Sequence, residues 1–190
     1  MPMGRVDWGF ETDRVRGRLV AEGDVDLYVG LYADVSVMRH IAQALSADAA
    51  ADMFAKALRH NANPAARARY WHLSHQRTGQ TLGLAALVRD AAVPSRGELG
   101  LMLLPQAQHT GAGMQALEGV VDGALSQRWR LGIDEVTGRH AAGNIGAGRL
   151  IEHLGFDPFD IDTPGSVGWR MTADAWRARL ASRASNPHHR

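Results

Sequence analysis

The chain has 190 residues, 45% of them hydrophobic and 22% charged, which is the balance of a folded globular protein rather than of a disordered chain. The formal net charge is +1, so no general attraction draws the protein to nucleic acid or to an anionic membrane, and we expect neither as a partner. Because cysteine is absent, disulfides, thiolate metal sites and a covalent intermediate on cysteine are excluded.

The length also limits the organisation of the chain. It is enough for one well-developed core, so we expect a single domain over residues 1–190, with its core at about 12–180 and a frayed tail at 181–190. No apolar run is long enough for a signal peptide or for the roughly 20 residues of a membrane span. A cytoplasmic protein is therefore expected.

The N-terminal third predicts one strand followed by three helices. Arginine alternates with apolar residues or glycine along 14–19, which is the period of a strand with one buried face. The arginine side of this strand is either a solvated surface or a phosphate-binding face. Helices follow over residues 24–32 and 35–41, and Ser46 is placed to cap a third helix.

The rest of the chain mixes short strands with helices. Three strands joined by short turns, over 70–74, 81–88 and 98–104, predict an antiparallel meander. A helix then begins at Gly111. The remaining predicted elements are a strand at 133–138, a helix at 144–154 that ends before Gly155, strands at 156–161 and 167–171, and a final helix at 173–180.

A glycine-containing loop joins the fourth of these strands to the helix at Gly111. A helix that starts in such a loop leaves its first backbone N–H groups unpaired at the positive end of the helix dipole. This arrangement binds a diphosphate. Gly111 and Gly113 carry no side chain that would keep a diphosphate away from these amides.

Two other nucleotide-binding motifs compete for this loop. A Walker P-loop is excluded, because no Gly-Lys-Ser or Gly-Lys-Thr follows. Residues 111–116 satisfy the G-x-G-x-x-A fingerprint of dinucleotide-binding proteins, and Asp134 lies about 20 residues downstream. That fingerprint belongs directly after the strand that opens a βαβ unit, whereas here a proline-containing loop and a meander precede it. A nicotinamide dinucleotide is thus the weaker alternative.

The loop resembles the acyl-CoA pyrophosphate loop of the GNAT N-acetyltransferases. The pattern of that loop is Gln or Arg, two residues, Gly, one residue, then Gly or Ala, and residues 108–113 fit it with Pro105 three residues ahead. Residues 97–105 and 144–156 resemble the fourth strand and the Asn-containing helix of the RimJ/RimL-like branch. With the opening segments 12–16 and 37–41, the resemblance covers residues 12 to 172.

This resemblance implies a fold and an activity. The fold is an α/β (α+β) GNAT fold, with a central mixed, mostly antiparallel sheet of about seven strands flanked by helices and splayed between the fourth and fifth strands. The activity is transfer of acetyl from acetyl-CoA, or of another acyl group from its acyl-CoA, to a primary amine on a protein N-terminus or a small molecule. Without cysteine, direct transfer in a ternary complex is expected.

The resemblance assigns cofactor binding to one strand, one loop and one helix start. The CoA arm would pair with the strand backbone at Leu103 and Leu104, and one of these two N–H groups would also hold the oxyanion. Asn144 would contact the cofactor near the thioester, or serve only as a helix N-cap. The assigned cofactor residues are Leu103, Leu104, Gln108, His109, Thr110, Gly111, Ala112, Gly113, Met114 and Asn144.

Two positions depart from the branch pattern. His109 stands where glycine is frequent, and Ala147 stands where serine is common, so a hydroxyl near the CoA sulfur is missing. The second departure keeps open a protein that binds CoA without turnover. The sequence leaves a monomer and a homodimer equally open.

The catalytic candidates follow from the chemistry of the attacking amine, which must lose a proton. Glu98 on the fourth strand is the first candidate for the base, although a solvated carboxylate is the alternative, and Asn144 is the second catalytic candidate. Met38, Trp71 and Met102 either line an acceptor pocket or belong to the core. No pair among the nine histidines has ligand spacing, so no metal is expected.

Overall fold

An eight-stranded sheet organises the computed structural model, which describes residues 6–185. Its strands are β1 (Phe10–Glu11), β2 (Val15–Leu19), β3 (Ala68–His75), β4 (Thr81–Arg89), β5 (Arg96–Leu103), β6 (Glu135–Ala141), β7 (Asp157–Phe159) and β8 (Ser166–Thr172). Their spatial order is β1-β2-β3-β4-β5-β6-β8-β7. All neighbours run antiparallel except β5 and β6, which are parallel. The expected mixed, mostly antiparallel sheet is confirmed.

The helices are α1 (Val25–Ala33), α2 (Val35–Met38), α3 (Ala47–Ala62), α4 (Ala112–Leu125), α5 (Ile145–His153) and α6 (Ala173–Ser185). Ser46 caps α3 as predicted, since its side chain accepts a hydrogen bond from the Ala49 N–H at 3.2 Å. Helix α6 continues through residues 181–185, so the tail expected there is wrong for these five positions. The rest of that predicted tail, 186–190, lies outside the described residues. Within 6–185, no helix combines the length and the apolar character needed to cross a membrane.

The first strand, β1, has no counterpart among the predicted elements. It is only two residues long and pairs with β2. The Phe10 ring fits between two glycines, because a Cβ on Gly17 or on Gly119 would come within 2.2 Å of it. Phe10 and Gly119 are far apart in the sequence. Their contact therefore leaves no local pattern from which a two-residue strand can be predicted.

Each face of the sheet carries its own core. On one face, α4 packs over a cluster in which Trp71 stacks on Trp129 with ring centroids 4.9 Å apart. On the other face, α1 and α3 cover a smaller cluster that contains Tyr28, Phe54 and Leu84. The side chains along β5 alternate between these two clusters, because successive residues of a strand point to opposite faces.

Strands β5 and β6 are paired for only part of their length. The parallel register joins Arg96 to Glu135, Gly97 to Val136 and Glu98 to Thr137, and it ends there. Beyond Glu98 the remaining residues of β5, 99–103, pair with β4 alone among the described strands. This divergence confirms the splay expected between the fourth and fifth predicted strands, which are β5 and β6, and it creates the main gap in the sheet.

Candidate active site

A cavity of about 530 Å³ occupies the gap between β5 and β6. Its wall includes residues from both faces of the sheet. Tyr70 and Met102 belong to the α1 and α3 side, whereas Leu101 and Leu150 belong to the α4 and α5 side. The cavity therefore passes through the sheet, and a molecule bound on one face can meet a molecule bound on the other.

The edge of β5 that faces β6 presents backbone polar groups to the gap between these two strands. The Leu104 N–H donates to the Leu82 carbonyl oxygen of the neighbouring chain segment at 2.9 Å. Because polar groups alternate sides along an antiparallel strand, Leu99, Leu101 and Leu103 direct theirs away from β4 and towards β6. Because the Leu104 N–H is already engaged, Leu103 is the member of the predicted pair whose N–H points to the gap, and its contact with the oxyanion stays a prediction.

The loop before α4 keeps its amides available. Gly111 is the N-cap residue with φ 83°, and no side chain of its own satisfies the helix start. No acceptor among residues 6–185 binds the N–H of Gly113 or of Met114, and the Ala112 N–H has only a long contact of 3.4 Å to the Thr110 hydroxyl. His109 has φ 58°, a left-handed conformation that suits glycine. An anion at this loop would meet unpaired donors and the helix dipole.

The two glycines of the loop have different roles. Space around Gly111 is open, since a Cβ there would find only an Arg14 guanidinium nitrogen, 3.9 Å away. A Cβ on Gly113 would lie 2.8 Å from Cδ1 of Leu150 and 3.2 Å from Cδ1 of Leu103. Gly113 therefore lets α4 pack closely on its neighbours. The prediction that Gly113 is glycine in order to admit a diphosphate is therefore wrong in the reason it gives, because a side chain there would meet Leu150 and Leu103. For Gly111 that role stays a prediction.

Arg14 brings a positive charge to the same loop. Its guanidinium donates to the Thr110 carbonyl oxygen at 3.1 Å, and its backbone N–H donates to the Gln115 side chain at 2.8 Å. The other two arginines of this segment form ion pairs instead, Arg16 with Glu11 at 2.8 Å and Arg18 with Asp24 at 2.7 Å. Of the three, Arg14 is the one whose side chain contacts the loop. The arginines of this segment therefore divide between contact with the loop and ion pairs with carboxylates.

Asn144 lies at the start of α5 and in the cavity wall. Its Oδ1 accepts a hydrogen bond from the Ala147 N–H at 3.1 Å, which is an N-cap interaction. Both Asn144 and Ala147 line the cavity. The capping role is thus present, and a contact with the cofactor stays a prediction.

A histidine that the sequence analysis did not single out also lines the cavity. The indole N–H of Trp169 donates to Nε2 of His140 at 2.9 Å, and Nδ1 of His140 lies 2.8 Å from the Ala141 carbonyl oxygen. An indole can only donate, so Nε2 is the acceptor and the proton of the neutral ring is on Nδ1. This ring has no free lone pair to act as a base. Over residues 6–185, no group of three or more His, Asp or Glu side chains is placed to hold a metal ion.

Glu98 lies at the cavity wall, at the last position of β5 that pairs with β6. One of its carboxylate oxygens is 2.8 Å from Nε of Arg139, and both side chains remain partly exposed, at 46% and 58% respectively. The ion pair holds the carboxylate beside the gap while leaving it accessible from the cavity. This position is compatible with the predicted base role and does not test it.

Of the three predicted acceptor residues, Met102 alone is in the cavity wall. Trp71 has no exposed surface, and its indole N–H donates to the Trp8 carbonyl oxygen at 2.7 Å, so the prediction for Trp71 is wrong. Met38 is 3% exposed and lies outside the cavity wall, so it too is a core residue. Large apolar side chains in regular elements are buried more often than they bind ligands, and the sequence does not separate the two cases.

All three tyrosines of the chain line the cavity, on the side of α1 and α3. Tyr28 and Tyr32 are one helical turn apart on α1, and their rings stack with centroids 4.6 Å apart. Burial raises the pKa of Tyr28, Tyr32 and Tyr70, so all three hydroxyls are neutral at physiological pH. The spacing of the first pair was visible in the sequence, but the approach of Tyr70 depends on the packing of α1 over the sheet.

Solved structures share this architecture. FdhC in its apo form, described as a nucleotide-linked sugar GNAT, aligns with TM-score 0.77 and 14% identity over 94% of this chain and 98% of its own. A GNAT-family acetyltransferase from Bacillus anthracis aligns with TM-score 0.71 and 12% identity over 87% and 99%. Spermidine N-acetyltransferase from Vibrio cholerae, in complex with CoA and spermine, aligns with TM-score 0.69 and 16% identity over 87% and 99%. At such identities these likenesses establish the fold alone.

Sequence comparison supplies the family. No curated protein matches the chain. The family model described as an acetyltransferase (GNAT) domain matches residues 14–157, which contain the loop, the splayed strands and most of the cavity wall. Because this match covers more than half of the chain and the fold agrees with it, the protein belongs to the GNAT acetyltransferase family.

Proposed function

We propose that this protein transfers acetyl from acetyl-CoA to a primary amine, by direct transfer in a ternary complex. The observation that carries the proposal is the cavity that crosses the sheet where β5 and β6 part. Such a passage lets an acyl carrier enter from the α4 face while an amine enters from the α1 face. Membership of the RimJ/RimL-like branch and a cytoplasmic location, where acetyl-CoA is available, are parts of the same proposal.

The residues around the loop fit the diphosphate of CoA. The free N–H groups of Gly113 and Met114, the open space at Gly111 and the Arg14 guanidinium would bind it. Gln108, His109, Thr110 and Ala112 complete the proposed loop contacts. The amide edge of β5 would hold the arm of the cofactor as an added strand does, through the backbone of Leu99, Leu101 and Leu103.

Bound there, acetyl-CoA supplies a thioester whose carbonyl carbon the amine attacks, and the thiolate of CoA leaves. The Leu103 N–H is the proposed donor to the oxyanion, because it points to the gap and its neighbour Leu104 does not. Glu98 is the proposed base, and because it lies five residues from Leu103 along β5, roughly 16 Å at about 3.3 Å per residue, it would take the proton of the amine through water. Asn144 is proposed to hold the cofactor near the thioester in addition to capping α5.

A second candidate is a protein that binds CoA without turnover. Ala147 lines the cavity where a hydroxyl is common in the branch, and Glu98 is engaged by Arg139 at 2.8 Å. The dinucleotide alternative has less support, because the strands before the loop are antiparallel and Gly113 serves close packing.

Calorimetric titration with acetyl-CoA tests the binding part of the proposal. We expect saturable binding with Kd between about 1 µM and 1 mM, the common range of KM values. No heat at about 1 mM acetyl-CoA, with propionyl-CoA and succinyl-CoA equally silent, would contradict it. Thiol release in the presence of a panel of amines and peptides then separates the two candidates, because one acetylated product seen by mass spectrometry eliminates the silent module.

A further inference from the structure

The wall of the cavity on the acceptor side is aromatic and apolar. Tyr32 and Tyr70 are half-buried and line this side, with Leu84 and Met102 beside them. Tyr28 is 1% exposed and stacks behind Tyr32, so it fixes the orientation of that ring. A flat apolar surface with neutral hydroxyls is thus presented to whatever approaches the gap from the α1 face.

The charge in the cavity wall is balanced by a single pair. Glu98 is the one carboxylate among the described residues that line the cavity, and Arg139 binds it at 2.8 Å. The other ionisable groups in the wall besides the tyrosines are two histidines, His40 and His140. An ammonium group that entered beside the reacting amine would find no second carboxylate, and Arg139 would repel it.

From these two features, and resting on the function proposed above, we infer that the acceptor is a small primary monoamine with an aromatic or apolar body. The amine enters the gap, where Glu98 acts on it through water, and the body lies against the rings of Tyr32 and Tyr70. Each tyrosine ring offers a large apolar face against which such a body can pack. Polyamines and other multiply charged amines are excluded as preferred acceptors by the missing counter-charges.

The volume limits the size of the acceptor. The whole cavity measures about 530 Å³, in the lower half of the roughly 300–1,000 Å³ of small-molecule sites, and the end of the CoA arm must share it. The acceptor part of the cavity therefore suits a compact molecule more than a peptide that extends over several residues. A peptide N-terminus becomes one of the outcomes of the test.

The test compares two acceptors of equal length that differ by one ammonium group. The full-length protein is assayed with saturating acetyl-CoA and with hexylamine, 1,6-diaminohexane, phenethylamine, spermidine or a short peptide. We expect kcat/KM for hexylamine and phenethylamine to exceed that for the diamine by at least about tenfold. A diamine or spermidine used as well as hexylamine, or acetylation of the peptide alone, overturns the inference.

A measurement of acetyl-CoA binding distinguishes a failure of the acceptor inference from a failure of the proposed function. If acetyl-CoA binds and no monoamine is acetylated, the acceptor inference is wrong while CoA binding stands. If acetyl-CoA does not bind, the proposed function itself fails.

Substitutions at two positions locate the effect in the wall. Tyr32→Leu should raise the KM for phenethylamine about tenfold while KM for acetyl-CoA changes little, and Tyr32→Phe, which keeps the ring, should stay close to the parent protein. Arg139→Gln removes the repelling charge, so it should improve the diamine relative to hexylamine. Equal KM values in Tyr32→Leu and Tyr32→Phe, with an unchanged diamine preference in Arg139→Gln, would contradict the placement of the acceptor. Thermal melting of each variant checks that it is folded.

Discussion

The carboxylate of Glu98 lies 2.8 Å from Nε of Arg139, at the last position where β5 and β6 are paired. The residue on β6 opposite Glu98 is Thr137, whose hydroxyl is 3.4 Å from the Gly97 carbonyl oxygen. The two strands thus separate directly after an ionic contact between them. The same contact holds a carboxylate at one end of the gap in which an amine and a thioester would meet.

Replacing Glu98 by Gln tests the proposed base. The side chain keeps its size and loses the proton acceptor, so we expect kcat to fall by about 10² or more, with the Kd for acetyl-CoA changed less than about twofold. Glu22→Gln, a change of the same kind at an exposed position remote in sequence from the gap, is the control and should have normal kcat. Unchanged turnover in Glu98→Gln would show that Glu98 is not the base.

Gly111→Asp tests the diphosphate loop. A carboxylate at this open position would repel a bound diphosphate at close range, so the Kd for acetyl-CoA should rise at least about tenfold. Gly111→Asn is the matched control, because Asn bears the same left-handed strain at φ 83° without the charge. Calorimetry on the two variants measures the difference, and equal affinities would remove the loop assignment.

Gly113→Ala should behave in the opposite way. The added methyl group would press on Leu150 and Leu103, so the free energy of unfolding should fall by about 1–2 kcal/mol while acetyl-CoA binding is largely kept. Denaturant unfolding and calorimetry on one preparation measure both. A stable Gly113→Ala variant that no longer binds acetyl-CoA would show instead that Gly113 admits the diphosphate.

Asn144 combines a cap with a proposed cofactor contact, and two substitutions separate them. Asn144→Ala removes the acceptor for the Ala147 N–H and should lower the free energy of unfolding by about 1 kcal/mol, whereas Asn144→Ser keeps a capping oxygen and should be nearly neutral. If Asn144 also holds the cofactor, both variants should weaken acetyl-CoA binding. Normal affinity in both would leave the cap as its whole role.

The stability of the fold should decline on mild acidification because of His72. This side chain is 8% exposed, and burial, followed by the charge of Arg18, lowers its pKa below the ordinary 6.5. As the pH falls through 6.5 the unfolded chain takes up the proton before the folded one, so the free energy of unfolding decreases.

Chemical denaturation between pH 7.5 and pH 5.5 measures this slope. His72→Gln should flatten this slope, and His153→Gln, at an exposed position, should not. An identical slope in His72→Gln and in the parent protein would contradict the assignment to His72.

Asp24 affects the stability at lower pH. Burial tends to raise its pKa, but hydrogen bonds from Arg18 and the Ala21 N–H outweigh this and lower it below 3.8. Its stabilising effect is therefore present above 3.8 and is lost only as the pH falls further.

Much of this architecture is local and could be predicted from the sequence. The Ser46 cap, the helix that starts after Gly111 and the left-handed Gly155 with φ 81° each depend on residues within one turn. The splay of β5 from β6 was expected from the resemblance rather than from periodicity, since no local pattern marks where two strands part.

What the sequence could not supply is made by contacts between distant segments. Arg69, 2% exposed, donates to five backbone carbonyls around the end of α3 and stacks over Trp8 at 4.4 Å, although an arginine in a strand is ordinarily expected at the surface. His140 and Trp169 meet only because β6 and β8 pair in one register. The acceptor wall likewise depends on α1 folding over β3.

Residue-resolved amide hydrogen exchange, with and without acetyl-CoA, tests most directly the claim that the acyl carrier lies in the gap of the sheet. We expect new protection at the amides of Leu101, Leu103, Gly113 and Met114, with no change at Leu104, whose N–H already donates to Leu82. Protection elsewhere, with these four amides exchanging as in the free protein, would contradict the claim.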